Sequence, residues 1–157
     1  MGSVKGGQVA ERDHPSSTGA RRRARVQGRK SAKLQAHLES LDPGVAAWVD
    51  SFVFGQVWDR PGLNETERTL IAIAMLAATE RPDQLRAYLF GALGNGMSPA
   101  AVQEVLVMSA VYAGFPAALN ALRLWQDVLR SAEAQGITVD KTGLPGASIT
   151  SIRRETE

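Results

Sequence analysis

The groups able to do chemistry form a short inventory. The 157-residue chain has no cysteine and only two histidines. It can therefore offer no thiolate nucleophile, disulfide, cysteine-ligated zinc or iron–sulfur cluster. His14 lies in a stretch rich in Gly, Ser and Arg, and His37 lies on a polar helix ahead of the core. Both read as surface residues, which leaves Ser–His–Asp catalysis without a base. There is no Walker A loop, no GxGxxG and no HExxH. No carboxylate cluster has metal-ligand spacing, so neither a metal nor a cofactor is expected. The remaining groups are Tyr, Arg, Glu, Asn, Trp and the backbone. They suit acid–base work on a small anionic substrate better than redox chemistry.

Several of these residues stand out by position. Arg68 falls in the first turn of an apolar helix, where a cation opposes the helix dipole. It either pairs with an acid or clamps a substrate carboxylate. Tyr88 sits near core positions, as a packed ring or as a proton donor. Glu104 precedes Met108 by four residues and shares its helix face. Tyr112 and Asn120 flank Gly114-Phe115-Pro116, a break where a helix N-terminus can receive an anion. Trp58 reads first as core packing.

The elements that must position these groups are helical throughout. Asp42-Pro43 is an N-cap followed by proline at N1. The helix after it places Val45, Trp48, Val49, Phe52 and Val53 on one stripe, and Pro61-Gly62 ends that segment. Asn64 to Glu67 resembles a capping box. The helix from Arg68 to about Thr79 is apolar all round and is expected to be the central buried one. Pro82 starts a helix with Leu85, Leu89, Ala92 and Leu93 on one face, stopped by Gly94-Asn95-Gly96. Ser98-Pro99 caps the next. A last helix runs from about Ala117 to Ala132. No period-2 strand pattern appears, so the fold class is all-α.

Charge is distributed unevenly. Residues 1–33 hold nine Lys/Arg against two acids, and the rest of the chain holds nine against fourteen. Residues 1–30 therefore read as a disordered basic tail, residues 31–135 as the helical domain, and residues 136–157 as a C-terminal arm or tail. The run Arg21-Arg22-Arg23-Ala24-Arg25 has no interleaved aromatic to stack on bases, so nucleic acid is not an expected partner. There is no apolar run long enough to span a bilayer and no signal-peptide pattern, and a cytoplasmic location is expected.

Four segments carry a family resemblance. Phe54-Gly55-Gln56-Val57-Trp58-Asp59-Arg60-Pro61-Gly62-Leu63, then Thr66 to Ile71, then Gly91 to Ser98, then Glu104-Val105-Leu106 with Ala110 to Ala118, resemble segments of the carboxymuconolactone decarboxylase family, in its order and spacing. The resemblance implies an AhpD-like helical fold and a homo-oligomer, a trimer or a hexamer. It implies a cofactor-free lyase or isomerase acting on a small cyclic carboxylate, lactone or polyketide-like ring. It places substrate binding at Arg68, Trp58, Gln84, Met108 and Asn120, and acid–base work at Tyr88, Glu104 and Tyr112. AhpD-type peroxidases carry CxxCxxxH, whose functional positions fall here on Arg81, Gln84 and Tyr88, so thiol peroxidase chemistry is excluded. Tyr88 and Met108 occupy positions where the decarboxylases often carry histidine. The alternative is a catalytically retired member that serves as an oligomeric scaffold. A pocket lined by Arg68, Tyr88 and Tyr112 would favour the enzyme, and one filled by Met108 and Phe115 the scaffold.

Overall fold

A computed structural model describes residues 15–144, and every regular element among them is helical. The helices are α1 (Pro15–Gln27), α2 (Ser31–Leu41), α3 (Pro43–Trp48), α4 (Glu65–Ala78), α5 (Pro82–Gly94), α6 (Pro99–Tyr112) and α7 (Phe115–Ala134). A 3₁₀ turn, Gly28–Lys30, joins α1 to α2, and α3 runs on into a π-helix, Val49–Val57. No described helix is long and apolar enough to cross a membrane.

The start signals act as their chemistry dictates. Asp42 Oδ1 accepts from the amides of Gly44 at 2.7 Å and Val45 at 3.0 Å. Asn64 and Glu67 cap each other's backbone amides at 2.9 and 2.7 Å, a complete capping box. Ser98 caps α6, and prolines open α5, α6 and α7. The core is built around Leu89, Leu106, Trp125 and Val128, all fully buried. After α7 the chain is irregular, and Ile137, Val139 and Leu144 lie against that core.

Three expectations need correction. The first concerns residues 1–30. Residues 1–14, with His14, lie outside the described residues, but residues 15–30 form α1 and the turn after it. The arginine run that read as a solvated tail is consumed by ion pairs within the chain. Arg22 bonds Asp59 and the Phe54 carbonyl. Arg23 pairs with Asp50 at 2.6 Å and donates to Ser31 Oγ at 2.6 Å. Arg25 pairs with Glu65 at 3.0 Å. Val26 is fully buried.

The second correction concerns residues 43–57, where the one helix expected is a short α3 that continues as a π-helix with i→i+5 bonds. Ala46 and Phe54 point inward, while Trp48 and Phe52 are 67% and 56% exposed, an apolar surface of the kind expected to lie between copies of a homo-oligomer. The third concerns α4. Only Thr69, Ile73 and Ala77 are buried in it, and Ile71 and Met75 are exposed. The most enclosed helix is α5, seven of whose thirteen residues are buried.

The docking of α1 rests on two glycines. A Cβ on Gly19 would meet the Asp50 carbonyl oxygen at 1.7 Å, and one on Gly91 would meet the Val26 carbonyl oxygen at 1.8 Å. Backbone therefore touches backbone on both sides of α1. Gly19→Ala and Gly91→Ala should each destabilise the fold by about 1–3 kcal/mol, the usual cost of overpacking. Gly94→Ala, with open space around its added Cβ, should be neutral. Thermal unfolding should show losses of about 2–4 °C per kcal/mol. Equal melting temperatures for all three variants would show that α1 does not pack as described.

Candidate active site

One cleft collects polar groups from three helices, α1, α2 and α5, around an apolar floor. Helix α2 contributes Leu34, His37 and Leu38 at i, i+3 and i+4, and the π-helix contributes Val49, Val53 and Phe54. Helix α4 adds Ala72, Met75 and Leu76, and α5 adds Gln84 and Tyr88, one turn apart. The end of α1 supplies Gln27. Each set shares a helix face by spacing. The cleft measures about 430 Å³, within the size range of small-molecule sites.

Tyr88 is its central polar group. Its ring lies 6.2 Å from that of Trp58, which lies 5.3 Å from Phe54, so three aromatics hold one another in place. Burial pushes the Tyr88 phenol up to about 12, and a hydrogen bond with Gln27 acts in the opposite direction. Gln27 is thus the hydrogen-bonding neighbour of the Tyr88 hydroxyl. The amide oxygen of Gln27 is buried without a partner among the described residues. The cleft thus holds a neutral phenol and an amide in largely apolar surroundings, where a hydrogen bond is stronger than in water.

The other candidates fall elsewhere. Gln84 lines the cleft with Tyr88, as placed. Trp58 backs the Tyr88 ring and is not among the lining residues. Arg68 lines no pocket with Tyr88. Its Nε donates to the Leu63 carbonyl at 3.2 Å and a terminal nitrogen donates to the Arg60 carbonyl at 2.5 Å, so it clamps the loop before α4. Glu104, Met108 and Tyr112 line a separate groove of about 520 Å³ with Ile71, Ala74 and Met75. Asn120 borders a third pocket and donates to Glu80 at 3.0 Å. That bond ties α7 to a turn in which Glu80 has a left-handed φ of 52°. Neither discriminating pocket forms: none unites Arg68, Tyr88 and Tyr112, and Phe115 is 72% exposed. Among the described residues no group of three His, Asp or Glu could hold a metal ion.

Two cleft residues had no role in the sequence reading. His37 is exposed, as read, and it also lines the cleft. Its spacing to Leu34 and Leu38 places it on the only apolar stripe of α2, and that signal was available. Gln27 had no comparable signal, because the helix that carries it was not foreseen.

Comparison with known proteins fits this architecture. Residues 43–127, from α3 into α7, match the carboxymuconolactone decarboxylase family. A 4-carboxymuconolactone decarboxylase from Acinetobacter baylyi is 32% identical over 94 residues, covering 60% of this chain and 70% of that protein. A nitrosuccinic acid decarboxylase from Metarhizium robertsii is 26% identical over 88 residues, covering 56% and 62%. The family match contains Trp58, Gln84 and Tyr88, whereas α1 and α2 precede it. With more than half of its length matched, the chain belongs to the carboxymuconolactone decarboxylase family.

Proposed function

We propose that this chain is a cofactor-free decarboxylase-type lyase, or a related isomerase, acting on a small cyclic carboxylate, lactone or polyketide-like ring. The reading rests on one observation: the Tyr88 hydroxyl, kept neutral by burial, lines a largely apolar cleft of ligand size. Both relatives carry decarboxylase names, which supports lyase chemistry at the level of the family.

The cleft suits that chemistry as follows. The bond between ring and carboxylate breaks, carbon dioxide leaves, and the electron pair moves into an adjacent carbonyl. The carbonyl oxygen gains charge, and the Tyr88 O–H is a hydrogen-bond donor for that charge. A proton then replaces the lost carboxylate on carbon. The apolar floor favours the step, because the charge of the departing carboxylate becomes dispersed. Glu104 and Tyr112 have no part in this version, since they line the other groove.

One observation favours an assembly role as well. Ile71, Met75, Met108, Val111, Tyr112 and Phe115, from α4, α6 and the start of α7, are exposed. An apolar face of this kind is usually covered by a partner, and we assign it to further copies of the chain, in a trimer or hexamer. Met75 lines both this groove and the Tyr88 cleft, so assembly would border the site.

Three outcomes test these readings. Tyr88→Phe keeps the ring and removes the hydroxyl. It should lower turnover of the true substrate by about 10²–10⁴-fold, the range for one acid–base group, with little loss of stability. Unchanged turnover would remove Tyr88 from the chemistry.

The second outcome concerns pH. The folded-state phenol is raised above its unfolded value of about 10, so its stabilising contribution is complete below pH 10. That contribution is lost as pH rises through about 12. In a Tyr112→Phe background, where Tyr88 is the only tyrosine, phenolate absorbance should rise near pH 12 or with unfolding. A rise well below pH 10 would contradict the buried donor.

The third is the mass in solution. It should be a multiple of the chain mass, and Met108→Glu should reduce it. A monomeric wild-type chain would contradict the assembly.

A further inference from the structure

Loss of a carboxylate leaves a proton to be supplied, because the carbon that loses carbon dioxide must gain hydrogen. Tyr88 is a poor source. A phenol held at about 12 does not readily release and recover a proton near neutral pH. An imidazole changes charge between about pH 5 and 8 and does so readily. Helix α2 brings one to the cleft. His37 is the only histidine among the described residues, and it lines the cleft with Gln84 and Tyr88. It is also exposed, so one residue borders both the apolar floor and water. Its one hydrogen bond is made by the backbone, whose carbonyl accepts from Ser40 Oγ at 2.7 Å. Its ring has no carboxylate within ion-pair distance among the described residues, nor have the neighbouring Lys30, Lys33 and Arg86. The imidazole is therefore committed to no structural contact.

We propose that His37 delivers the proton that replaces the departed carboxylate on carbon. This rests on the Tyr88 cleft being the reaction site and adds the acid that ends the reaction there. The step balances as follows. The bond to the carboxylate breaks, carbon dioxide leaves, and the bonding pair forms an enolate whose oxygen meets the Tyr88 hydroxyl. The enolate carbon then takes a proton from the His37 imidazolium. The N–H bond breaks, its electron pair stays on nitrogen, and a C–H bond forms as the carbonyl is restored. Neutral His37 recovers a proton from water, to which it is exposed, so no other reactant is consumed. A buried imidazole would lack that supply, and one remote from the cleft would not reach the carbon. His37 precedes residues 43–127, so this acid comes from outside the part of the chain that matches the family. Its place is set by the left-handed turn at Gly28 and by the bond from Arg23 to Ser31 at the start of α2.

The test is hydrogen exchange, the reverse of the protonation step. Cyclohexanone is the probe, in deuterium oxide with the full chain, and proton NMR follows the loss of its α-hydrogens. The wild type should exchange them faster than buffer alone, with a rate that rises with pH and levels once the imidazole is neutral. The other titratable groups beside His37 are Lys30, Lys33, Asp83, Arg86 and Tyr88. Side chains of those types ordinarily titrate outside the window of about pH 5 to 8, so an inflection within it reports the imidazole. His37→Ala should lower the rate by about 10²-fold or more, the effect of one acid–base group. It should also erase the inflection, keep the melting temperature, and regain rate when free imidazole is added. His37→Gln, which keeps a polar side chain without the proton chemistry, should be equally slow. An unchanged rate in either variant, an inflection that survives them, or a wild type no faster than buffer overturns the proposal. Tyr88→Phe should be slower and keep the inflection. A full rate in Tyr88→Phe beside a slow His37→Ala would remove Tyr88 and leave His37 as the proton carrier, so the two readings fail separately.

Discussion

The backbone contact of α1 with its two neighbours is the constraint on which the site depends. Gly19 lets α1 touch the π-helix at Asp50, and Gly91 lets α5 touch α1 at Val26. The Arg23–Asp50 pair, largely buried, spans the same junction and is completed by Ser31 at the start of α2. Removing one partner of such a pair strands a buried charge at a cost of about 3–5 kcal/mol. These contacts bring Gln27 to the Tyr88 hydroxyl. They also set where the left-handed turn at Gly28, with φ of 55°, releases the chain into α2. Leu34 and His37 reach the cleft only because that turn is fixed.

The site then works by contrast between two adjoining environments. Tyr88 is buried enough to stay neutral, which makes it a donor and a poor base. Beside it, cations without carboxylate partners line an open and wetter surface. A single imidazole at position 88 could exchange protons near neutrality. A phenol raised to about 12 instead stabilises developing charge by donation. On the proposed reading, tyrosine at that position changes the means of stabilisation and keeps the location.

The sequence was legible wherever the deciding interaction was local. Asp42, Asn64 with Glu67, and Ser98 each announce a helix within three or four residues, and each helix starts there. The placement of the CxxCxxxH positions put Gln84 and Tyr88 on one helix face, and both line the cleft, whereas Arg81 borders another pocket. What escaped was non-local. The arginines of α1 find Asp50, Asp59 and Glu65 some 27–40 residues downstream, and composition alone cannot pair them. Gly19 counted toward disorder, although it permits close packing. The π-helix that carries Val49 to Val57 left no signal in the stripe of apolar residues. The uniform apolarity of α4 implied burial within one chain, and part of that surface faces outward. Arg68 had the right charge, but its guanidinium fork was already committed to its own loop.

The central claim is that the chemistry takes place between Tyr88 and the apolar floor formed by the π-helix and α4. The most direct measurement is a crystal structure of the full chain with bound isophthalate. The account predicts the ring against Tyr88. A ring seated instead in the groove of Glu104, Met108 and Tyr112, with the Tyr88 cleft empty, would contradict it.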